Sequence, residues 1–130
     1  MVDGIVSGIS TDQLKRVTMT NSGGWRVTNS EKSGSGAEID IVADSFKIHD
    51  YNGWATANFF NGRLWRFQFT LKDPRASNQL CAAIGVSLQQ SARTIVNRDL
   101  ETRIAHDDGQ CIVIWTNRRI EDQVVRWASP

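Results

Sequence analysis

The amino-acid sequence predicts an α+β fold: an antiparallel sheet, built from a three-stranded meander plus C-terminal strands, with helices mainly on one face. Three observations carry that prediction. Between Ala37 and Leu71 two Asn-Gly pairs, Asn52-Gly53 and Asn61-Gly62, punctuate runs rich in aromatic and β-branched residues, the pattern of strands joined by tight turns. Two helix starts, Ser10-Thr11-Asp12-Gln13 and Asp73-Pro74, flank that meander. A strongly apolar run from Cys111 to Thr116 supplies a further strand.

The 130 residues suffice for one core and are read as one domain, 1–130. With 40% hydrophobic and 22% charged residues, neither disorder nor a fibrous repeat is indicated. The formal charge of +1 says little about partners, but eleven of the fifteen basic residues are Arg and there are five Trp, two residue types enriched at interfaces. No stretch approaches the roughly 20 apolar residues of a membrane span. Met1-Val2-Asp3-Gly4-Ile5 lacks the basic-then-apolar layout of a secretory signal, although a mature exported chain would look the same.

In chain order, Ser10 and Gln13 form a capping box, so a short helix starts near Thr11 with Leu14, Val17 and Met19 on its apolar side, and Asn21-Ser22-Gly23-Gly24 ends it. Trp25 to Thr28 reads as a short strand and Asn29 to Gly36, polar and rich in Gly and Ser, as a mobile loop. In the meander, a two-residue turn at Asn61-Gly62 sets Phe60 against Arg63, Phe59 against Leu64, Thr56 against Phe67 and Trp54 against Phe69. A three-residue loop at Tyr51-Asn52-Gly53 then brings Phe46 and Ile48 onto one aromatic face with Trp54, Trp65, Phe67, Phe69 and Leu71. The outer face carries Lys47, His49, Ala55, Ala57, Arg66, Gln68 and Thr70, with Phe59 and Leu64 as an apolar pair near the tip. Asp73 caps a second helix reaching about Gln90, with Leu80, Ala83, Ile84 and Leu88 as its stripe and Gly85 in its middle. Thr94-Ile95-Val96 and Leu100 to Ile104 are extended, Asp108-Gly109 is a turn, and Val124 to Trp127 is a closing strand.

Catalytic motifs are thin. His106-Asp107-Asp108 and His49-Asp50 place an imidazole beside carboxylates, a pairing suited to metal or acid-base work, yet each also reads as a solvated turn. No nucleophile elbow, zinc-binding helix or phosphate-cradling loop is present, and Ser33-Gly34-Ser35-Gly36 lacks the Lys that a phosphate loop requires. Cys81 and Cys111 have no partner at zinc-site spacing. A disulfide between them would close a loop of about 30 residues, and the plainer expectation is two separately buried thiols. Arg63, Arg66, Arg118, Arg119 and Arg126, interspersed with Trp65, Trp115 and Trp127, suit single-stranded nucleic acid in type, whereas the near-zero net charge speaks against it.

Gly8-Ile9-Ser10-Thr11-Asp12-Gln13-Leu14, followed by a polar loop, a meander and Phe59-Phe60-Asn61-Gly62-Arg63-Leu64, resembles the opening of small bacterial envelope domains with β-lactamase-inhibitor-protein-like architecture. The resemblance covers about the first half of the chain and implies short helices on one side of an antiparallel sheet, in a domain that binds proteins or scaffolds envelope assemblies without catalysis. The second half, with a helix from Pro74, the Asp108-Gly109 turn and strands through Trp115 and Trp127, resembles sensory-regulator and secretion-chaperone-like domains, which also bind proteins. The chain departs from envelope lipoproteins in having no lipobox cysteine.

The expected function is therefore a non-enzymatic protein-binding domain, with a periplasmic or secreted setting slightly favoured over the cytoplasm. Its expected surface is the outer sheet face with Phe59, Leu64 and Arg66, rimmed by Arg118 and Arg119. The partner is another protein or a second copy of the chain, and no cofactor or metal is expected. The competing classes are a small enzyme with a pocket between sheet and helix, and a single-stranded nucleic-acid binder.

Overall fold

A computed structural model of the chain describes residues 1–2, 4–85, 94–97 and 99–129, the side chains of 94–97 excepted. Among these, helix α1 (Thr11–Val17) precedes a four-strand meander of β1 (Arg26–Ser33), β2 (Gly36–Ile48), β3 (Tyr51–Phe60) and β4 (Arg63–Leu71). A 3-10 turn (Pro74–Ala76) runs into α2 (Ser77–Ile84), and β5 (Thr94–Asn97), β6 (Leu100–Asp107) and β7 (Gln110–Asn117) lead to α3 (Arg118–Ala128). The seven strands form one sheet in the order β1-β2-β3-β4-β7-β6-β5, every neighbouring pair antiparallel. The α+β reading thus holds, with a sheet wider than a three-stranded meander and its additions.

Local chemistry explains the turns. Asn61 and Gly62 both adopt positive φ, as do Asp108 and Gly109, which matches the twist of a two-residue hairpin. Between β2 and β3 the expected three-residue loop is replaced by His49-Asp50, because Ile48 pairs directly with Tyr51. The expected loop at Asn29 to Gly36 is also corrected. Its residues up to Ser33 extend β1, and Ser33 pairs with Gly36 across a turn at Gly34, which has φ 59. An edge strand with both faces wet needs no apolar alternation, so its polar composition concealed it.

The decisive departure lies in β4. From the tip, Phe60 pairs with Arg63 and Phe59 with Leu64 as expected, but Asn58 then pairs with Arg66, leaving Trp65 as an extra residue. Beyond this bulge Ala57 opposes Phe67 and Ala55 opposes Phe69, one residue out of the expected register. Phe59 and Leu64 therefore share a face with Phe67, Phe69 and Leu71, and both are buried in the main core. They are not part of an outer surface.

That core holds Ile41, Phe46 and Ile48 of β2, the β4 phenylalanines, Val113 and Trp115 of β7, Leu14 of α1 and Leu80 of α2. Its centre depends on the small residues of β3. Phe46 reaches over Gly53, Ala55 and Ala57 to meet Phe67 at 5.5 Å and Phe69 at 6.2 Å between ring centroids. In α1 the capping box forms as expected, with Ser10 and Gln13 bonding each other's backbone N–H, and Leu14 is buried. Val17 and Met19 are exposed instead of packed. Gly85 is the left-handed cap that ends α2, not a residue within a longer helix, and Leu88 and Gln90 lie outside the described residues.

A smaller cluster of Phe60, Trp65, Ile120, Val124 and the partly buried Trp127 seats α3 on the opposite face. The expected closing strand at Val124 to Trp127 is thus a helix. Asn117 caps it by accepting from the Ile120 N–H at 3.0 Å, and Ile120, Val124 and Trp127 recur at helical spacing.

A Cβ placed on Gly53 would lie 2.1 Å from the Thr70 carbonyl oxygen and 2.7 Å from Phe69 Cζ. Gly53→Ala is expected to destabilise the fold by about 3 kcal/mol, the upper end for overpacking, read as a shift in the urea unfolding midpoint.

Candidate functional site

On the face opposite the main core, strand register alone assembles a row of polar side chains across six strands. Asn29 pairs with Asp40, Asp40 with Asn58, Asn58 with Arg66, Arg66 with Thr116 and Thr116 with Glu101. The row runs beside the seat of α3. Its members are bonded to one another: Asp40 accepts from the side-chain amides of Asn29 and Asn58, and the Asn58 oxygen accepts from Arg66 Nε at 2.8 Å. Asn58 is only 4% exposed, so its amide is fixed between a carboxylate and a guanidinium.

The bulge makes a second contact available to Arg66. Alternation would send Trp65 and Arg66 to opposite faces, whereas here the Arg66 guanidinium lies 4.8 Å from the Trp65 ring centroid. Among the described hydrogen bonds Arg66 uses Nε alone, and its two terminal nitrogens remain as donors on a half-exposed side chain.

Toward β1 the surface turns acidic. Glu38 pairs with Glu31 across the first hairpin and lies two residues from Asp40 on the same face. Partial burial, the Asp40 charge and a hydrogen bond to Asp40, and then Glu31, all push the Glu38 carboxyl above the ordinary range, while Arg66 acts the other way. Glu38 thus keeps its proton to a higher pH than an ordinary glutamate.

Toward β6 the row ends in ion pairs with the first turn of α3. Arg118 Nε lies 3.9 Å from Glu101, and Arg119 lies 3.3 Å from Asp99. A polar cavity of about 360 Å³ lies between Asp99, Arg118, Arg119 and Asp122. Of the five residues read from sequence, the fold links Arg66 and Arg118 through Thr116 and Glu101, sets Arg119 on the rim, and withdraws Phe59 and Leu64 into the core.

Asp40, Asn58, Glu38 and Glu101 were not singled out from sequence. Asn58 carried a usable signal, as a polar residue amid Ala55, Ala57, Phe59 and Phe60, but its meaning depends on register.

The remaining chemical candidates do not converge. Each histidine sits at a hairpin turn far along the strands from the polar row: His49 in the β2–β3 turn, and His106 at the end of β6, paired with Cys111. A cavity of about 440 Å³ beside the 3-10 turn is lined by Asp50, Tyr51, Lys72 and Arg75 among others, and neither histidine lines it. Among the described residues no three His, Cys, Asp or Glu side chains gather as a metal site, and no helix is long and apolar enough to cross a membrane. Trp65 and Trp115 are buried, and Trp127 packs against Phe60 while donating to the Ser33 carbonyl at 2.9 Å. Compared with known proteins, the chain matches no family model, no curated protein and no solved structure.

Because the folded protein raises Glu38 above its ordinary value of 4.5, that group favours folding at low pH, and its contribution is lost as pH rises through the raised value. Glu38→Gln is expected to be at least as stable as the wild type at neutral pH and to show a flatter decline in unfolding midpoint from about pH 4.5 upward. Parallel urea titrations across that range check both statements.

Proposed function

We propose that the protein is a non-enzymatic binding domain that presents the uncovered part of its sheet, beside α3 and centred on Arg66, to a protein partner. The observation that carries this reading is the guanidinium of Arg66, held by Asn58 and by the Trp65 ring on the part of the face that α3 leaves open. An arginine immobilised before binding loses less freedom when it engages an acceptor, so its hydrogen bonds yield more net affinity.

The surroundings support the reading. Val42, Trp54, Thr56, Gln68, Ile112 and Ile114 form a half-exposed band on the same face, next to the polar row. Aromatic and aliphatic area edged by a positioned Arg is the make-up of interface centres, with charged residues at the rim. Arg118 and Arg119 supply that rim toward β6, and Glu31 and Glu38 supply an acidic one toward β1. The crowding of Glu31, Glu38 and Asp40 works against folding, and such local conflicts concentrate where a surface serves a function. The resemblance of the α1 cap and the Asn61-Gly62 hairpin to envelope binding domains supports an exported setting for this role.

Affinity capture from a lysate of the source organism tests the reading, with wild type beside Arg66→Ala and Met19→Ser, all checked for folding by circular dichroism. Met19 is 71% exposed and lies just after α1, away from the row. The expected result is a partner retained by wild type and Met19→Ser and reduced at least tenfold with Arg66→Ala. Equal capture by all three, or by none, contradicts it.

A further inference from the structure

We propose that Asn61 is a site of spontaneous modification that the fold leaves open while protecting Asn52: its side-chain amide is lost by ring closure onto Gly62, which loosens the hairpin tip under α3. As sequence, the two Asn-Gly pairs are equivalent. Tyr51 precedes one and Phe60 the other, and in both the glycine offers a peptide nitrogen with no side chain beside it. The fold separates them. Asn61 and Gly62 form the exposed two-residue turn between β3 and β4, both at positive φ, and a Cβ built on Gly62 would meet nothing within 4 Å. Among the described hydrogen bonds, the Gly62 N–H and Asn61 Nδ2 take part in none. Asn52 is exposed too, but it lies within β3, paired with Lys47, and its carbonyl accepts from the Lys72 N–H at 2.9 Å. Gly53 is buried between Phe46 of β2 and Leu71 of β4, with no room for a Cβ beside the Thr70 carbonyl.

The reaction needs only water. The Gly62 nitrogen loses its proton and attacks Asn61 Cγ; an N–Cγ bond forms, the Cγ–Nδ2 bond breaks, and Nδ2 takes up the proton and leaves as ammonia. Water then opens the five-membered ring at either of its carbonyls, giving aspartate or isoaspartate at position 61, and nothing is oxidised or reduced. One contact favours the attack: Asn61 Oδ1 accepts from the Ala37 N–H at 2.9 Å, and such a donor stabilises the oxyanion that forms as a carbonyl is attacked. At Asn52, closing the same ring turns the peptide out of the sheet and breaks the bond to Lys72, so reaction there waits on local opening of the strands. The product matters at the tip. The Asn61 N–H also donates to the Ala37 carbonyl at 2.8 Å, so the two residues bond each other twice. Phe60 on one side of this link belongs to the seat of α3, and Gly36 on the other lies against Trp127. Isoaspartate adds a methylene to the backbone of a two-residue turn, which cannot keep both bonds and the hairpin pairing.

The test is ageing of the folded wild-type chain in mildly alkaline buffer, where the peptide nitrogen loses its proton more readily, beside the same chain held unfolded in guanidinium chloride. Peptide mapping by mass spectrometry follows conversion at both Asn-Gly pairs, with aspartate and isoaspartate separated chromatographically. The isoaspartate form of the folded chain is isolated, and its urea unfolding midpoint is compared with that of unaged protein. In the folded chain Asn61 is expected to convert at least tenfold faster than Asn52, whereas in guanidinium chloride the two sites should convert at similar rates. The isoaspartate form should unfold at lower urea. An intact Asn61 in the folded chain, equal conversion at Asn52, a ratio that persists in guanidinium chloride, or an isoaspartate form as stable as the unaged chain would overturn the proposal. No substitution is involved, so no arm depends on a variant that folds.

Discussion

Where β3 runs from Asn58 to Phe59, β4 runs from Arg66 past Trp65 to Leu64, two steps against one. The unpaired residue shifts the inward set of β4. Without it, Leu64, Arg66, Gln68 and Thr70 would share one face, and Leu64 would stand among polar side chains. With it, Leu64 joins Phe67, Phe69 and Leu71 in the main core. Trp65 and Arg66 then emerge together on the other face, one beneath α3 and one over the first indole ring. Both the seat of the last helix and the candidate site follow from this one irregularity.

Each face has its own condition for closure. On the core side, β3 must remain narrow so that rings from β2 and β4 meet above it, which Gly53, Ala55 and Ala57 allow. On the other side, Trp127 must lie flat across the first hairpin. Gly36 makes room there, since a Cβ at that position would stand 2.2 Å from Trp127 Nε1. The N-terminal segment completes the corner between these layers. Gly8 donates to the Leu64 carbonyl, and Leu64 in turn donates to that of Ile9, at 2.8 and 2.9 Å, so the edge of β4 that β7 leaves open is covered. Asn117 adds a side-chain bond to Ser7 at 2.7 Å, next to the cap of α3.

Features set by a few adjacent residues were legible in the sequence. The capping box at Ser10, the Asp73-Pro74 start and the turns at Asn61-Gly62 and Asp108-Gly109 all form as their local chemistry requires. What stayed hidden depended on distant pairing. A bulge costs nothing in composition and is specified only by which face each strand must bury. The polar edge strand β1 owes its existence to β2. In α3, Ile120, Val124 and Trp127 carried a helical repeat after the Asn117 cap, but the β-branched pair Val124-Val125 outweighed it when read as a strand. The site suffered the same limit: Arg66 and Arg118 were identified by residue type, whereas Asn58 and Asp40 acquire meaning only once register sets them beside Arg66.

Nuclear Overhauser contacts across β3 and β4 in isotope-labelled protein test the bulge most directly. A bulge at Trp65 predicts backbone contacts of Ala57 with Phe67 and of Ala55 with Phe69, together with side-chain contacts between Trp65 and Ile120. Contacts of Thr56 with Phe67 and of Trp54 with Phe69 would mean an unbulged hairpin. In that case Leu64 would stand on the polar face, and the site built around Arg66 would lose its basis.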